Sequence, residues 1–307
     1  RRLSPNLCVV IAPIRYCRLH EIGHKGCPSR MQQVAMIDGW AASASRLGYY
    51  NYLYNLADGT LPFFKFTACR KEFPYLADRG LSHMTIEVLS NWHIYGPQIY
   101  LAVRMAYDPR ADAAAIMEEY WRGFYGPRAG PLMKEYWMGL DAALAAAPSH
   151  AGGFAGLAQA WTPDLVARSG GLLSRAADAA RGVGRHEQRV ALHAAGFESA
   201  VRYRALCDAM TRGDFAAAKA TYDAEIARLD GLAAKGWANR EYATAYLRRF
   251  VGPSVTAGAA LTAPPNRLVA VLPDRWRFRA GEEGTETNRG WAAKELDDRG
   301  WTEAATF

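Results

Sequence analysis

The 307 residues carry 37 Lys and Arg against 30 Asp and Glu, a formal charge of +7, and half of them are hydrophobic. This composition excludes a disordered chain and suits two or three packed units. The basic residues are scattered rather than gathered into an arm, which argues against nucleic acid as a partner. No apolar stretch reaches the ~20 residues that span a bilayer, so no membrane insertion is expected. Five cysteines are too few, and odd in number, for a disulfide scaffold.

The first element expected is a strand over residues 7–13, Leu7-Cys8-Val9-Val10-Ile11-Ala12-Pro13, reached at once from Arg1 with no secretory leader ahead of it. Such a start reads as an interior cut of a longer protein, which would favour an extracellular or periplasmic location. The next segment carries His20-Glu21-Ile22-Gly23-His24, which fits the zinc-peptidase pattern H-E-x-x-H. That pattern needs a helix to bring both histidines to one metal. Gly26 and Pro28 argue against a helix immediately downstream, and Arg30 stands where a third histidine would be wanted. Cys17, His20, His24 and Cys27 could alternatively close a loop zinc site, or Cys17 and Cys27 could form a disulfide beside two solvated histidines, or remain two thiols.

Helices are expected over 31–46 and 66–78, with strands over 47–54 and 81–89, and Gly48 and Gly80 sit where helix would give way to strand. Strand, helix, strand, helix, strand implies a parallel sheet. Three strands cannot close a barrel, which needs eight, so they would be its end. From 91 to 250 the strand signal fades. Apolar residues recur at helical spacing, as in Ile116, Met117, Tyr120, Trp121 and Phe124, and imply an antiparallel helical bundle interrupted near Pro163. After Pro264-Pro265 short strands are expected over 267–272 and 275–279.

In a barrel the chemistry sits where strands end. The positions after the first strand are Arg15, His20 and Glu21. Those after the second are Tyr52, Tyr54, Asn55 and Asp58, and those after the third are Glu87, Asn91, Trp92 and His93. Glu87, in the apolar run Met84-Thr85-Ile86-Glu87-Val88-Leu89, is the candidate general acid, its bland alternative being a structural carboxylate paired with a nearby Arg or Lys. Tyr52, Tyr54 and Trp92 suit sugar stacking as well as they suit a core. Arg15, Arg18 and Lys25 on one loop would suit an acidic sugar or could be solvated surface.

From 62 to 126 the order of motifs is more specific than any one of them. A strand over 81–88 is followed by Asn91-Trp92, by Tyr100-Leu101-Ala102-Val103-Arg104-Met105-Ala106-Tyr107-Asp108-Pro109, by Glu119-Tyr120-Trp121 and by Phe124-Tyr125-Gly126. This order resembles glycoside-hydrolase-like barrel proteins of largely unassigned function, related to the bacterial α-glucuronidases. The Cys-x-x-His loop and the aromatic strand 49–54 fit the same relatives, so the resemblance covers roughly 1–250. Arg275-Trp276-Arg277-Phe278, Gly290-Trp291 and Asp297-Asp298-Arg299-Gly300-Trp301 resemble the opening strands of galactose-binding-like sandwiches that accompany glycosidases.

The resemblance implies an α/β plus all-α chain. Residues 1–107 would be the C-terminal strands of a (β/α)8 barrel, 108–252 a helical bundle domain and 264–307 a truncated β-sandwich start. It implies a glycoside hydrolase acting on a poly- or oligosaccharide, possibly an acidic one. Glu87 would be catalytic, and Arg15, His20, Tyr52, Tyr54, Asn55, Asn91, Trp92 and His93 would contact the sugar. Glycosidases use two carboxylates, and the resemblance places the principal one upstream of Arg1. No cofactor or metal is required. A non-catalytic carbohydrate-binding barrel is the second reading and the zinc metallopeptidase through His20 and His24 the third, while sugar, linkage, stereochemistry and oligomeric state stay open.

Overall fold

Three apolar runs in the first ninety residues pair side by side. The computed structural model describes residues 3–52, 61–88, 91–148, 150, 157–271, 275–278 and 297–305. Strands β1 (Cys8–Ile11), β2 (Arg46–Tyr52) and β3 (Leu81–Glu87) form a parallel sheet with β2 in the centre. The crossovers are α1 (Pro28–Ser43) and α2 (Phe66–Asp78). Period-two alternation sends Ile11, Leu47 and Tyr49 to one face, where Ile37 and Leu76 complete a small core. Fully burying a side chain such as Ile37 or Leu76 contributes about 1.5–3 kcal/mol.

Among the described residues the opposite face stays open, with Val10, His83 and Thr85 exposed and Glu87 half-buried. Gly48 lies inside β2 rather than at its start. A Cβ there would come within 2.2 Å of His83 Nε2, so the missing side chain is what lets the His83 ring cross β2 towards Cys8, 3.8 Å from its Nδ1. Gly80, with φ +75°, turns the chain out of α2 into β3.

The expected end of a (β/α)8 barrel is not what this chain forms. The structure is 65% helical, and among the described residues its parallel sheet holds three strands and does not close. The βαβαβ order fixes parallel pairing and says nothing of closure. Nor does α2 cover strands alone: Phe66, Cys69 and Phe73 enter a large core shared with α3 (Trp92–Tyr107) and α4 (Ala113–Ala145). That core runs from Cys17 and Phe64 through Trp121, Trp137 and Trp161 to Ala200, so it includes residues on both sides of position 107.

Asp112 caps α4, its Oδ1 accepting from the amides of Ala114 and Ala115. The helix is broken at Gly126, whose φ of +79° precedes Pro127. Pro163 does not interrupt a helix but begins one: Thr162 caps α5 (Pro163–Ala180), and proline at the first position needs no partner for an N–H it lacks. Then follow α6 (Arg185–Thr211), α7 (Phe215–Ala234), α8 (Arg240–Tyr246), a π turn at Leu247–Val251 and α9 (Gly252–Thr262). At Gly196 of α6 a Cβ would meet the His93 carbonyl oxygen at 2.2 Å, which brings α3 and α6 into backbone contact.

In the tail, β4 (Arg275–Phe278) pairs antiparallel with β5 (Thr302–Ala305), and Arg277 bridges to Asp298 at 2.6 Å. The expected strand over 267–272 is irregular through 271, and Gly290-Trp291 lies outside the described residues. The described tail is a two-stranded antiparallel ladder. Among the described residues no helix is long and apolar enough to cross a membrane.

Candidate functional site at the open sheet face

The last turn of alternation in β2 puts Tyr50 and Tyr52 on the open face and Tyr49 and Asn51 behind it. The two open-face rings lie with centroids 4.9 Å apart. Arg18, from the loop after β1, is buried and places its guanidinium 4.7 Å over the Tyr52 ring. Its Nη1 donates to the Tyr52 carbonyl at 3.4 Å and its Nη2 to the Ile14 carbonyl at 3.3 Å. Glu87 pairs in register with Tyr52 at the end of β3, next to the Tyr50–Thr85 pair. Burial first, and then the Glu87 charge, raise the hydroxyl pKa of both tyrosines. Phenol faces, two hydroxyls, a carboxylate and a guanidinium thus converge at the carboxyl ends of parallel strands, the edge where open α/β sheets take ligands.

Behind the sheet a buried polar network holds this edge in place. Arg30 bridges Glu72 at 3.3 Å and donates to Gln33, while Gln33 donates to the Tyr49 hydroxyl at 2.7 Å and Tyr49 to Glu72 at 3.1 Å. Burial, then the Arg30 charge, bring neighbouring Lys65 down to about 8. None of these residues was expected in a polar network, Arg30 having been noted only as standing where a third histidine would be, although Arg, Gln and Glu on the apolar sides of α1 and α2 were the available signal.

The other expected site residues disperse. Arg15 is exposed on the loop, and Trp92 is 44% exposed at the first turn of α3. Asn91 is buried and structural: its Oδ1 accepts from the Asn239 amide at 3.0 Å, and its amide donates to the Tyr95 hydroxyl at 2.9 Å. His93 is enclosed between helices, and burial, helped by His193 and Arg228, holds its pKa at about 3. Tyr54, Asn55 and Asp58 lie outside the described residues. Glu21 is held by Lys71. Tyr50 joins Glu87 and Tyr52 on the site although it was not singled out, and its place in the same alternation was the signal.

His20 is buried away from the open face. Its Nδ1 is 3.4 Å from Cys17 Sγ, and its Nε2 donates to the Ala147 carbonyl at 2.8 Å. Burial lowers its pKa, as it raises that of the Cys27 thiol. No disulfide joins Cys17 to Cys27, whose Sγ is 3.1 Å from His150 Nδ1. His24 stacks on His20, their centroids 4.6 Å apart. Residues 20–24 are turn and bend, and Pro28 opens α1 beyond them, so the helix that H-E-x-x-H chemistry demands is absent from this segment.

Compared with known proteins, residues 1–138 match the model of a family described as "Domain of unknown function (DUF4838)". No curated protein and no solved structure matches the chain.

Proposed function

We propose that this chain contributes to a glycoside hydrolase whose saccharide lies on the open sheet face, with Glu87 as its acid or base. The supporting observation is the placement of Glu87 beside Tyr50 and Tyr52 with Arg18 over the Tyr52 ring. Sugar C–H faces stack on phenol rings, while hydroxyls pair with carboxylate and guanidinium groups. Arg18 fits a uronic-acid carboxylate in particular. Cleavage, as distinct from binding, rests on the resemblance of residues 62–126 to the α-glucuronidases.

Glycosidic cleavage uses a second carboxylate about 5–5.5 Å away for retention or 6.5–9.5 Å for inversion. Of the other two candidates, Asp58 lies outside the described residues, and Glu21 is ion-paired with Lys71. That pairing favours a second reading, saccharide binding without hydrolysis. Hydrolysis of aryl glycosides, glucuronides and acetylhexosaminides included, by the full-length parent protein and its Glu87→Gln variant separates the two. The hydrolase reading expects a loss of about 10²–10⁴-fold in the variant. An inert parent that still binds oligosaccharides supports the binding reading, and an active parent indifferent to Glu87→Gln removes Glu87 from the chemistry.

A further inference from the structure

We propose that Cys17, His20, Cys27 and His150 form a tetrahedral Cys2His2 zinc site that pins the loop after β1 to the segment following α4. Their four ligand atoms all lie within 4.8 Å of one another. A tetrahedral ion with Zn–S of about 2.3 Å and Zn–N of about 2.0–2.1 Å sets ligand atoms roughly 3.3–3.8 Å apart. Two of the six edges, 3.4 Å for Cys17 Sγ to His20 Nδ1 and 3.1 Å for Cys27 Sγ to His150 Nδ1, lie close to that shape.

The second shell is already in place. His20 donates from Nε2 to the Ala147 carbonyl, which leaves Nδ1 as the lone-pair nitrogen facing the thiols, as in metal-bound histidines generally. Arg30 donates from Nε to the His20 carbonyl at 2.7 Å and so ties the ligand loop to the network behind the sheet. Two thiolates would balance the ion's charge, and two sulfurs with two imidazoles are the donor set that selects zinc over hard cations. Four protein donors fill the coordination shell, so the site is structural and offers no position for a reacting water. His24 lies against the site by stacking on His20 and is not one of the four donors.

The test is the zinc content of the untagged full chain, purified under reducing conditions, together with cobalt substitution and zinc competition against a chromophoric chelator. One zinc per chain, tetrahedral cobalt bands and thiolate-to-cobalt charge transfer are expected. His150 is the exposed donor. His150→Ala should therefore keep the fold, as read by circular dichroism, and weaken zinc binding by about tenfold or more, while His24→Ala leaves it unchanged. Three results would overturn the site: no zinc bound and none taken up by the reduced protein, equal loss in the His24 and His150 variants, or a Cys17–Cys27 disulfide that persists under reducing conditions.

Discussion

Gly196 and Gly48 face the same steric problem with different remedies. A Cβ at Gly196 would meet a backbone carbonyl, that of His93, which moves only if α3 and α6 part. Gly196→Ala is therefore expected to lower stability by about 1–3 kcal/mol in urea. At Gly48 the obstacle is the exposed ring of His83, which can swing away, so Gly48→Ala should cost less; an equal cost would show that the ring is held. Charge obeys the same logic of enclosure. Arg30→Ala strands the buried Glu72 and should cost about 3–5 kcal/mol, whereas Lys71→Ala removes a solvated partner of Glu21 and should cost under about 1 kcal/mol. A double-mutant cycle on each pair checks the contrast. The shared sheet end of Glu87 and Tyr52 was legible in the sequence because strand alternation is local. Asn91 and His93, next to an exposed tryptophan, were not, because their burial depends on α6 and α8 more than ninety residues away. His150 stands 123 residues from Cys27, and no spacing rule reaches that far.

At the scale of elements, the crossing of α3 and α6 carries its own pH dependence. Burial holds His93 at about 3 and His193 at about 4, against an ordinary 6.5. Both stay neutral in the folded chain while the unfolded chain takes up protons below about 6.5. Stability is therefore full above that pH and falls as pH drops towards 4, with a slope of about 1.4 kcal/mol per unit for each histidine. Urea unfolding at pH 7, 6 and 5 should show the decline, and His193→Gln should remove about half of its slope; an unchanged slope would assign the loss to other groups. Helix starts were partly legible. Pro28 and Pro163 were read as interruptions, yet a proline is welcome at a first helical turn, and Thr162 ahead of Pro163 was the cue that distinguished start from break. The three strands were legible as strands, but closure into a barrel is a property of pairing partners that period-two patterns do not encode.

For the whole molecule, the decisive feature is that the loop after β1 answers to two neighbours. Cys17, Leu19 and Cys27 belong to the large helical core, while Arg18, between the first two, reaches the other way onto Tyr52. A zinc ion at the four donors would therefore hold the open face from behind, because the backbone that it fixes is the backbone that aims Arg18. Its removal should act locally, since the aromatic core around Trp121, Trp137 and Trp161 is built from apolar contacts among side chains that are not its donors. Stripping the ion with a chelator under reducing conditions is expected to raise amide exchange across residues 14–27 and 146–148 and to leave α6 and α7 unchanged. On the proposed saccharide reading, oligosaccharide binding should weaken in parallel, and Arg18→Ala in the zinc-loaded protein should weaken it to a similar degree. If exchange rises evenly through the chain, the ion supports the whole fold. If the loop loosens while binding holds, the metal and the open face are independent and Arg18 keeps its place over Tyr52 through the two backbone carbonyls alone.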